Sequence, residues 1–300
     1  MSAPRHFITG LELTPEELHD LIARARRFKE ARHGSPDGVL RNRSVVLLFE
    51  KPSTRTRVSF EVGIAELGGD SIVLRSDELQ LTRGESPEDT AAVLSRYVDV
   101  IVARLGDHAV IEKLAEGSSV PVVNALTPLH HPCQTLADLL TLDERFGRLD
   151  GLRLAYVGDG NNVCHSLMLI ASLAGVKVAV ATPPELRPHP DIVAIAGDGV
   201  ELTTDPAAAA RGAHALYTDV WVSMGDEADG RSRRSRLAAY QLNEDLLAFA
   251  RQDAVTMHCL PAHPGEEITR EMLYGPRSAV WDQAENRLHA QKALLQLLLE

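Results

Sequence analysis

Short apolar runs alternate with stretches of helical periodicity along the chain, and this alternation restricts the fold more than any other feature. Val45–Phe49, Ser71–Leu74, Val100–Arg104 and Pro121–Ala125 read as strands, while Val58–Leu67 and Pro87–Tyr97 between them read as helices. Thr14-Pro15-Glu16-Glu17 opens an earlier helix, with threonine as the cap, proline in the first helical position and two acids at the positive dipole end. A second series begins after residue 150. It runs through the strand Leu152–Gly158, the helix His165–Leu173, the strand Val176–Ala181, a helix near Ala207–Gly212, the strand Ala215–Val220, a helix near Asn243–Ala250 and the strand Ala254–His258. Strands that alternate with helices pair in parallel, so the pattern predicts an α/β protein with two doubly wound domains, each on a parallel central sheet. Residues 1–134 form the first expected domain and residues 150–283 the second. Leu126–Gln134 is expected as loop, Thr135–Phe146 as a helix linking the domains, and residues 284–300 as an amphipathic helix that packs back on the first. A chain of 300 residues is also longer than one ordinary core sustains.

Charge and composition exclude several classes of partner. The formal net charge is −11, which argues against a nucleic-acid partner gripped through its phosphates. A small anion remains compatible, because a few arginines focused at one place outweigh the global charge locally. No run approaches the eighteen or so apolar residues of a membrane span. The first ten residues lack the apolar stretch of a secretory signal, so a cytoplasmic location is expected. Cys133, Cys164 and Cys259 are too few and too scattered for a disulfide framework or a structural zinc site, and read as reduced thiols.

Ligands of open parallel sheets bind beyond the carboxyl ends of the strands, and there the polar residues of this chain collect. The first strand is followed by Ser53-Thr54-Arg55-Thr56, the third ends on Arg104, and the fourth leads to His131 and Gln134. In the second half the strand ends supply Asn161 and Asn162, Asp219 with Ser223-Met224-Gly225, and His258-Cys259-Leu260-Pro261. The first set, with two arginines, a histidine and hydroxyls, suits a phosphate beside a carbonyl oxygen. The second, an acid with amides, suits an amino acid. The Ser53–Arg57 stretch has a plainer reading as a capped helix start with solvated arginines; the clustering at the other strand ends favours the anion site.

This constellation resembles the ornithine branch of the aspartate/ornithine carbamoyltransferase family, along nearly the whole chain. Six stretches carry the resemblance: STRTR at Ser53–Arg57, HPCQ at His131–Gln134, GDGNN at Gly158–Asn162, DVWVSMG at Asp219–Gly225, HCLPAH at His258–His263 and AENR at Ala284–Arg287. The resemblance implies a carbamoyl phosphate domain followed by an ornithine domain, and transfer of the carbamoyl group to the side-chain amine of L-ornithine, giving citrulline and phosphate. It implies direct attack in an interdomain cleft, with no cofactor and no metal. Ser53, Thr54, Arg55 and Thr56 would cradle the phosphate. Arg104 would bridge phosphate and carbonyl, His131 and Thr56 polarise the carbonyl oxygen, Gln134 orient the carbamoyl amide, and Arg287 return from the last helix to the same ligand. Gln80 matches the position from which a neighbouring copy reaches the site, implying a homotrimer. For ornithine the implied residues are Asn162 at the carboxylate, Asp219, Ser223 and Met224 at the α-amino end, and Cys259 and Leu260 beside the δ-amine. Asp219 and Cys259 would also guide the proton that the amine loses.

Neighbouring residues have plainer readings. Arg57 reads as structural, since i and i+2 do not share a helix face. Cys133 and Cys164 read as packed thiols, and His130 as a surface loop residue. His263 is equally compatible with core or solvent. Leu105 stands where a threonine is frequent, Pro264 where an arginine often follows HCLPAH, and Arg231–Arg236 forms a basic run where acids are common; that run reads as a solvated loop and helix start. Related transferases acting on N-acetylornithine or putrescine are the alternative, disfavoured by Asp219 and the SMG stretch. A nicotinamide-dependent oxidoreductase is disfavoured because the Gly158–Asn162 turn lacks the third glycine of a dinucleotide fingerprint.

Overall fold

Strand β1 (Ser44–Phe49) is apolar on both faces and buried from Val45 onward, the composition of an inner strand in a parallel sheet. In the computed structural model it lies between β2 (Asp70–Arg75) and β3 (Val100–Arg104), with β4 (Val122–Leu126) beyond β3. All three pairings are parallel. The structure describes residues 4–32, 38–75, 77–78, 84–222 and 229–300. The chain divides into two units, one of residues 1–140 with 286–300 and one of residues 141–285.

The order β2-β1-β3-β4 means that the chain leaves β1 to one side and returns to the other, so the topological switch point lies between β1 and β3. Their carboxyl ends are in register, Phe49 opposite Arg104. The residues that follow β1 therefore emerge beside Arg104. Helix Thr54–Glu66 starts there, and its buried face is Thr56, Phe60, Gly63 and Ile64, spaced by three and four residues. Against Gly63 lies the last helix, Val280–Leu299: a Cβ at Gly63 would come within 3.2 Å of Lys292 Cγ and 3.3 Å of Leu288 Cδ1. Lys292 is buried, donates to Glu66 Oε2 at 2.6 Å and sits 4.9 Å above the Phe28 ring. That pairing pins the two helices one turn beyond Arg287.

The second unit has five parallel strands in the order β7-β6-β5-β8-β9: β5 (Arg153–Val157), β6 (Lys177–Ala181), β7 (Val200–Thr203), β8 (Ala215–Thr218) and β9 (Val255–His258). Its switch point falls between β5 and β8. Thr218 Oγ1 donates to Val157 O at 2.7 Å and ties the two strand ends together. Gly160, in the turn after β5, faces the backbone of the 187–188 segment, where a Cβ would lie 2.3 Å from Pro188 N; only glycine fits. The two α/β units on parallel sheets agree with the sequence reading.

Several local expectations fail. Cys133 and Gln134 are helical, because Pro132 takes the first position of a helix that runs to Phe146. Helices His108–Gly117, Pro190–Ala196 and Arg270–Tyr274 and strand β7 were not anticipated. Helix His165–Leu173 starts earlier, at Asn162, and passes into a π-helical turn at Leu167–Ala171. The basic run, read as a solvated loop and helix start, is helical throughout, within Gly230–Leu237, and Arg231, Arg234 and Arg236 are exposed as expected. Among the described residues no helix is long and apolar enough to cross a membrane.

Candidate active site

The first unit builds its site around one buried guanidinium. Arg287 is 3% exposed; its Nη1 donates to Gln134 Oε1 and its Nη2 to Thr56 Oγ1 at 2.8 Å. His131 Nε2 lies 3.5 Å from the same Nη1. The last helix, the start of Thr54–Glu66 and the start of Pro132–Phe146 thus converge on one side chain. Ser53 occupies the cap position of Thr54–Glu66, yet its hydroxyl makes no capping bond to the helix. The plain capped-start reading of this stretch therefore fails, and the N–H groups of the first turn are left for an acceptor from outside the helix. Arg55 is exposed beside them, and Arg57 is engaged elsewhere, with Glu61 at 3.1 Å.

Three cations set the chemistry of His131. Its pKa lies well below the ordinary value, first because it is buried, then because Arg287, Arg104 and Arg55 disfavour a further positive charge. The imidazole is therefore neutral at physiological pH and keeps one N–H donor and one acceptor nitrogen. Cys133 is buried, within 3.4 Å of Asn124 O, and burial pushes its thiol up to about 12, consistent with a packed and unreactive sulfur. His130 corrects the sequence reading. It is 2% exposed and edge-on to His108 at 5.0 Å, because its N–H donates to Thr127 Oγ1 at 3.2 Å and its carbonyl accepts from Thr127 N at 2.8 Å, folding the 127–130 turn inward. Gln80 lies outside the described residues.

In the second unit the centre is Asp219, which directly follows β8. Its Oδ2 accepts from Asn161 Nδ2 at 2.7 Å; its Oδ1 accepts from the Cys259 thiol at 2.8 Å and from Val220 N at 2.8 Å. Asn161, named from the sequence among the strand-end residues but given no ligand role, is fixed by its other end. Oδ1 caps the helix beginning at Asn162, accepting from Val163 N and Cys164 N at 3.1 and 3.2 Å, and takes the Tyr156 hydroxyl at 3.1 Å. Those donors force the amide nitrogen toward Asp219. Burial, then the charge of Asp219, keeps Tyr156 protonated by holding its pKa well above the usual range. Asn162 stands one residue on, partly exposed at the first helical position. Ser223 and Met224 lie outside the described residues.

Cys259 and Leu260 are held from behind. His258 Nδ1 accepts from Leu260 N at 2.9 Å, so the ring proton is on Nε2, which faces Glu267 Oε1 at 3.2 Å. Glu267 is fully buried and also accepts from His263 N at 2.5 Å, while the His263 ring is about half exposed. Leu260 takes a left-handed φ of 61° and precedes a cis Pro261. The basic helix braces the turn after β5: Arg233 donates to Asp159 and, at 3.0 Å, to Trp221 O, and Arg234 pairs with Glu266 at 2.8 Å. Among the described residues two groups have ligand atoms of metal-binding kind within 4.8 Å of one another, Asp219 with His258 and Cys259, and His263 with Glu266 and Glu267. In the first group the thiol and both ring nitrogens are engaged in the contacts just described.

Comparison with known proteins also matches the chain in two parts. Residues 5–144 match the carbamoyl-P binding domain of aspartate/ornithine carbamoyltransferases, and residues 150–298 match the Asp/Orn binding domain. The chain is 52% identical over 299 residues to an ornithine carbamoyltransferase of Methanoculleus marisnigri, covering 98% of this chain and 97% of the relative. It is 54% identical over 303 residues to one from Acidothermus cellulolyticus, covering 99% and 97%. Among solved structures, the ornithine carbamoyltransferase of Pyrococcus furiosus superposes with a TM-score of 0.94 at 47% identity, over 98% of this chain and 96% of that one. That of Thermus thermophilus gives 0.91 at 45% identity over the full length of both. Matches that span both halves, at about half identity and over nearly the full length of each relative, place this chain in the aspartate/ornithine carbamoyltransferase family.

Proposed function

We propose that the protein transfers the carbamoyl group of carbamoyl phosphate to the side-chain amine of L-ornithine, forming L-citrulline and phosphate. The observation that carries the reading is the convergence of Arg287, Thr56, Gln134 and the neutral His131 at the first switch point, donors joined by one amide acceptor, a set suited to a carbamoyl phosphate. The phosphate binds the first turn of Thr54–Glu66 with Ser53, Thr54, Arg55 and Thr56, and Arg104 spans phosphate and carbonyl. Thr56, His131 and Arg287 donate toward the carbonyl oxygen, and Gln134 receives the carbamoyl N–H. Ornithine is held by the second unit, with Asn162 at its carboxylate, Asp219, Ser223 and Met224 at its α-amino end, and Cys259 and Leu260 beside the δ-amine.

The reaction follows from those roles. The δ-amine must be neutral to attack, although such amines are mostly protonated near pH 7; the Asp219–Cys259 pair offers a route for the proton. The amine lone pair forms the new C–N bond at the carbonyl carbon, and negative charge grows on the carbonyl oxygen in front of preset donors, each worth a few kcal/mol of barrier, roughly 3. The C–O bond to phosphate then breaks, and the proton lost by the amine ends on the departing phosphate. A homotrimer in which Gln80 of a neighbouring copy completes the site, and a cytoplasmic location, go with this reading. Light scattering should give three times 32.7 kDa.

The test is citrulline formation from carbamoyl phosphate with L-ornithine, N-acetylornithine, putrescine and aspartate as parallel acceptors. A strong preference for ornithine is expected. Turnover of another amine alone overturns the assignment of the second unit, and no turnover with any amine overturns the enzyme.

A further inference from the structure

The two ends of the Gln134 amide differ in kind, one accepting and one donating, and the structure uses them differently. The oxygen faces Arg287 Nη1, while the nitrogen donates to Asp138 Oδ1 at 2.8 Å. Asp138 lies one helical turn further along Pro132–Phe146 and is completely buried, as is Gln134 to within 1%. We propose that Asp138 is a positioning residue that fixes the Gln134 amide with its oxygen on the substrate side, so that the site selects an acyl phosphate carrying an N–H. The inference rests on reading the first unit as the carbamoyl phosphate site.

Donors and acceptors decide the orientation. A guanidinium only donates and a carboxylate only accepts. Exchanging the oxygen and nitrogen of Gln134 would set its NH2 against Arg287 and its carbonyl against Asp138, turning two attractive contacts repulsive. The orientation is therefore locked from both sides. An amide oxygen has two lone pairs; Arg287 uses one, and the other remains for a carbamoyl N–H. In the reversed orientation the amide NH2 would meet the carbamoyl NH2, donor against donor. Acetyl phosphate, with a methyl group in place of the amino group, has nearly the same shape and gains nothing from the lock.

The experiment compares carbamoyl phosphate turnover with competitive inhibition by acetyl phosphate in the full-length protein. Asp138→Leu removes the acceptor at similar volume and should lower kcat/KM for carbamoyl phosphate about 30-fold, the size of one charge-assisted hydrogen bond left unmade. The inhibition constant of acetyl phosphate should stay put, so that discrimination between the two ligands falls by the same factor. Asp138→Asn retains one acceptor oxygen and should restore most of the loss. In a Gln134→Ala background Asp138→Leu should cost no more than about threefold further, because its effect runs through the missing amide. Equal weakening of both phosphates, or full additivity with Gln134→Ala, overturns the inference. Should Asp138→Leu not fold, Asp138→Ala, which also removes both acceptor oxygens, takes its place in the cycle with Gln134→Ala under the same additivity criterion. A wild-type protein that makes no citrulline refutes the proposed function; an active one whose Asp138 variants discriminate normally refutes only the lock.

Discussion

Thr56 separates what its methyl group does from what its hydroxyl does. The residue is 1% exposed, on the buried face of Thr54–Glu66, and its Oγ1 accepts from Arg287 Nη2 at 2.8 Å. Thr56→Val keeps the shape and removes the hydroxyl. Arg287 then loses one charge-assisted hydrogen bond, and the carbonyl oxygen of the ligand loses a donor. The first term is about 1.5–3 kcal/mol and a lost oxyanion donor adds roughly 3 kcal/mol to the barrier, so kcat/KM for carbamoyl phosphate should fall at least about 100-fold. Stability should fall by less than that first term, since the new methyl offsets part of the lost bond. Thr56→Ser does the reverse. It keeps the hydroxyl and loses one buried methyl, about 1 kcal/mol or about 3 °C in midpoint for a unit of this size, with kinetics near wild type. Arg287→Lys loses the planar fork that reaches Thr56 and Gln134 together, so in that background Thr56→Val should add less than it does alone. Citrulline kinetics and denaturant unfolding supply both axes. If Thr56→Val keeps a third or more of wild-type kcat/KM, or its effect adds fully to that of Arg287→Lys, the shared contact does not exist as described.

Three further outcomes follow from other contacts. His289 is buried near Lys292, Lys29 and Arg32, and burial first, then those cations, lower its pKa to about 4; the unfolded chain takes up a proton below about 6.5 while the folded one does not, so this residue should remove about 2 kcal/mol of stability between pH 7 and pH 5. His289→Gln should flatten that slope in pH-dependent denaturation, and an unchanged slope refutes the assignment. Asn161→Ala leaves Tyr156 and Asp219 each short of a partner and should raise KM for ornithine about 30-fold with KM for carbamoyl phosphate unmoved; equal changes in both would show a general unfolding of the site. Glu267→Ala frees the His258 ring that holds Leu260 N and should lower kcat/KM for ornithine at least about tenfold, with inorganic phosphate still inhibiting as in wild type.

Much of the architecture was written in local periodicity. β1 and β3 are nearly continuous apolar runs, as strands buried on both faces of a parallel sheet are. What escaped was either short or not amphipathic. β7 is an edge strand with only Val200 and Leu202 as apolar residues, too little for a pattern. Helix Gly230–Leu237 has no apolar stripe to betray it, because arginine-mediated bonds from Arg233 and Arg234 to Asp159, Trp221 O and Glu266 anchor it. Helix His108–Gly117 did have its signal, an Asp107 cap followed by Ile111 and Leu114 on one face, and that helix could have been read.

The site was legible as a set of residues and illegible as a set of contacts, for a physical reason. Which residues end the strands is a property of the chain order; which atom of each faces the ligand depends on pairings made through space. GDGNN offers two adjacent amides, and nothing in their order tells which one reaches Asp219; the helix cap settles it by consuming Asn161 Oδ1 and leaving Nδ2 to donate. His130 and His131 are likewise adjacent and both buried, but only His131 faces Arg287. The spacing of Gln134 and Asp138, four apart on a helix, was visible from the start. Its meaning was not, because the contact that gives the Gln134 oxygen its direction comes from Arg287, more than 150 residues away in sequence.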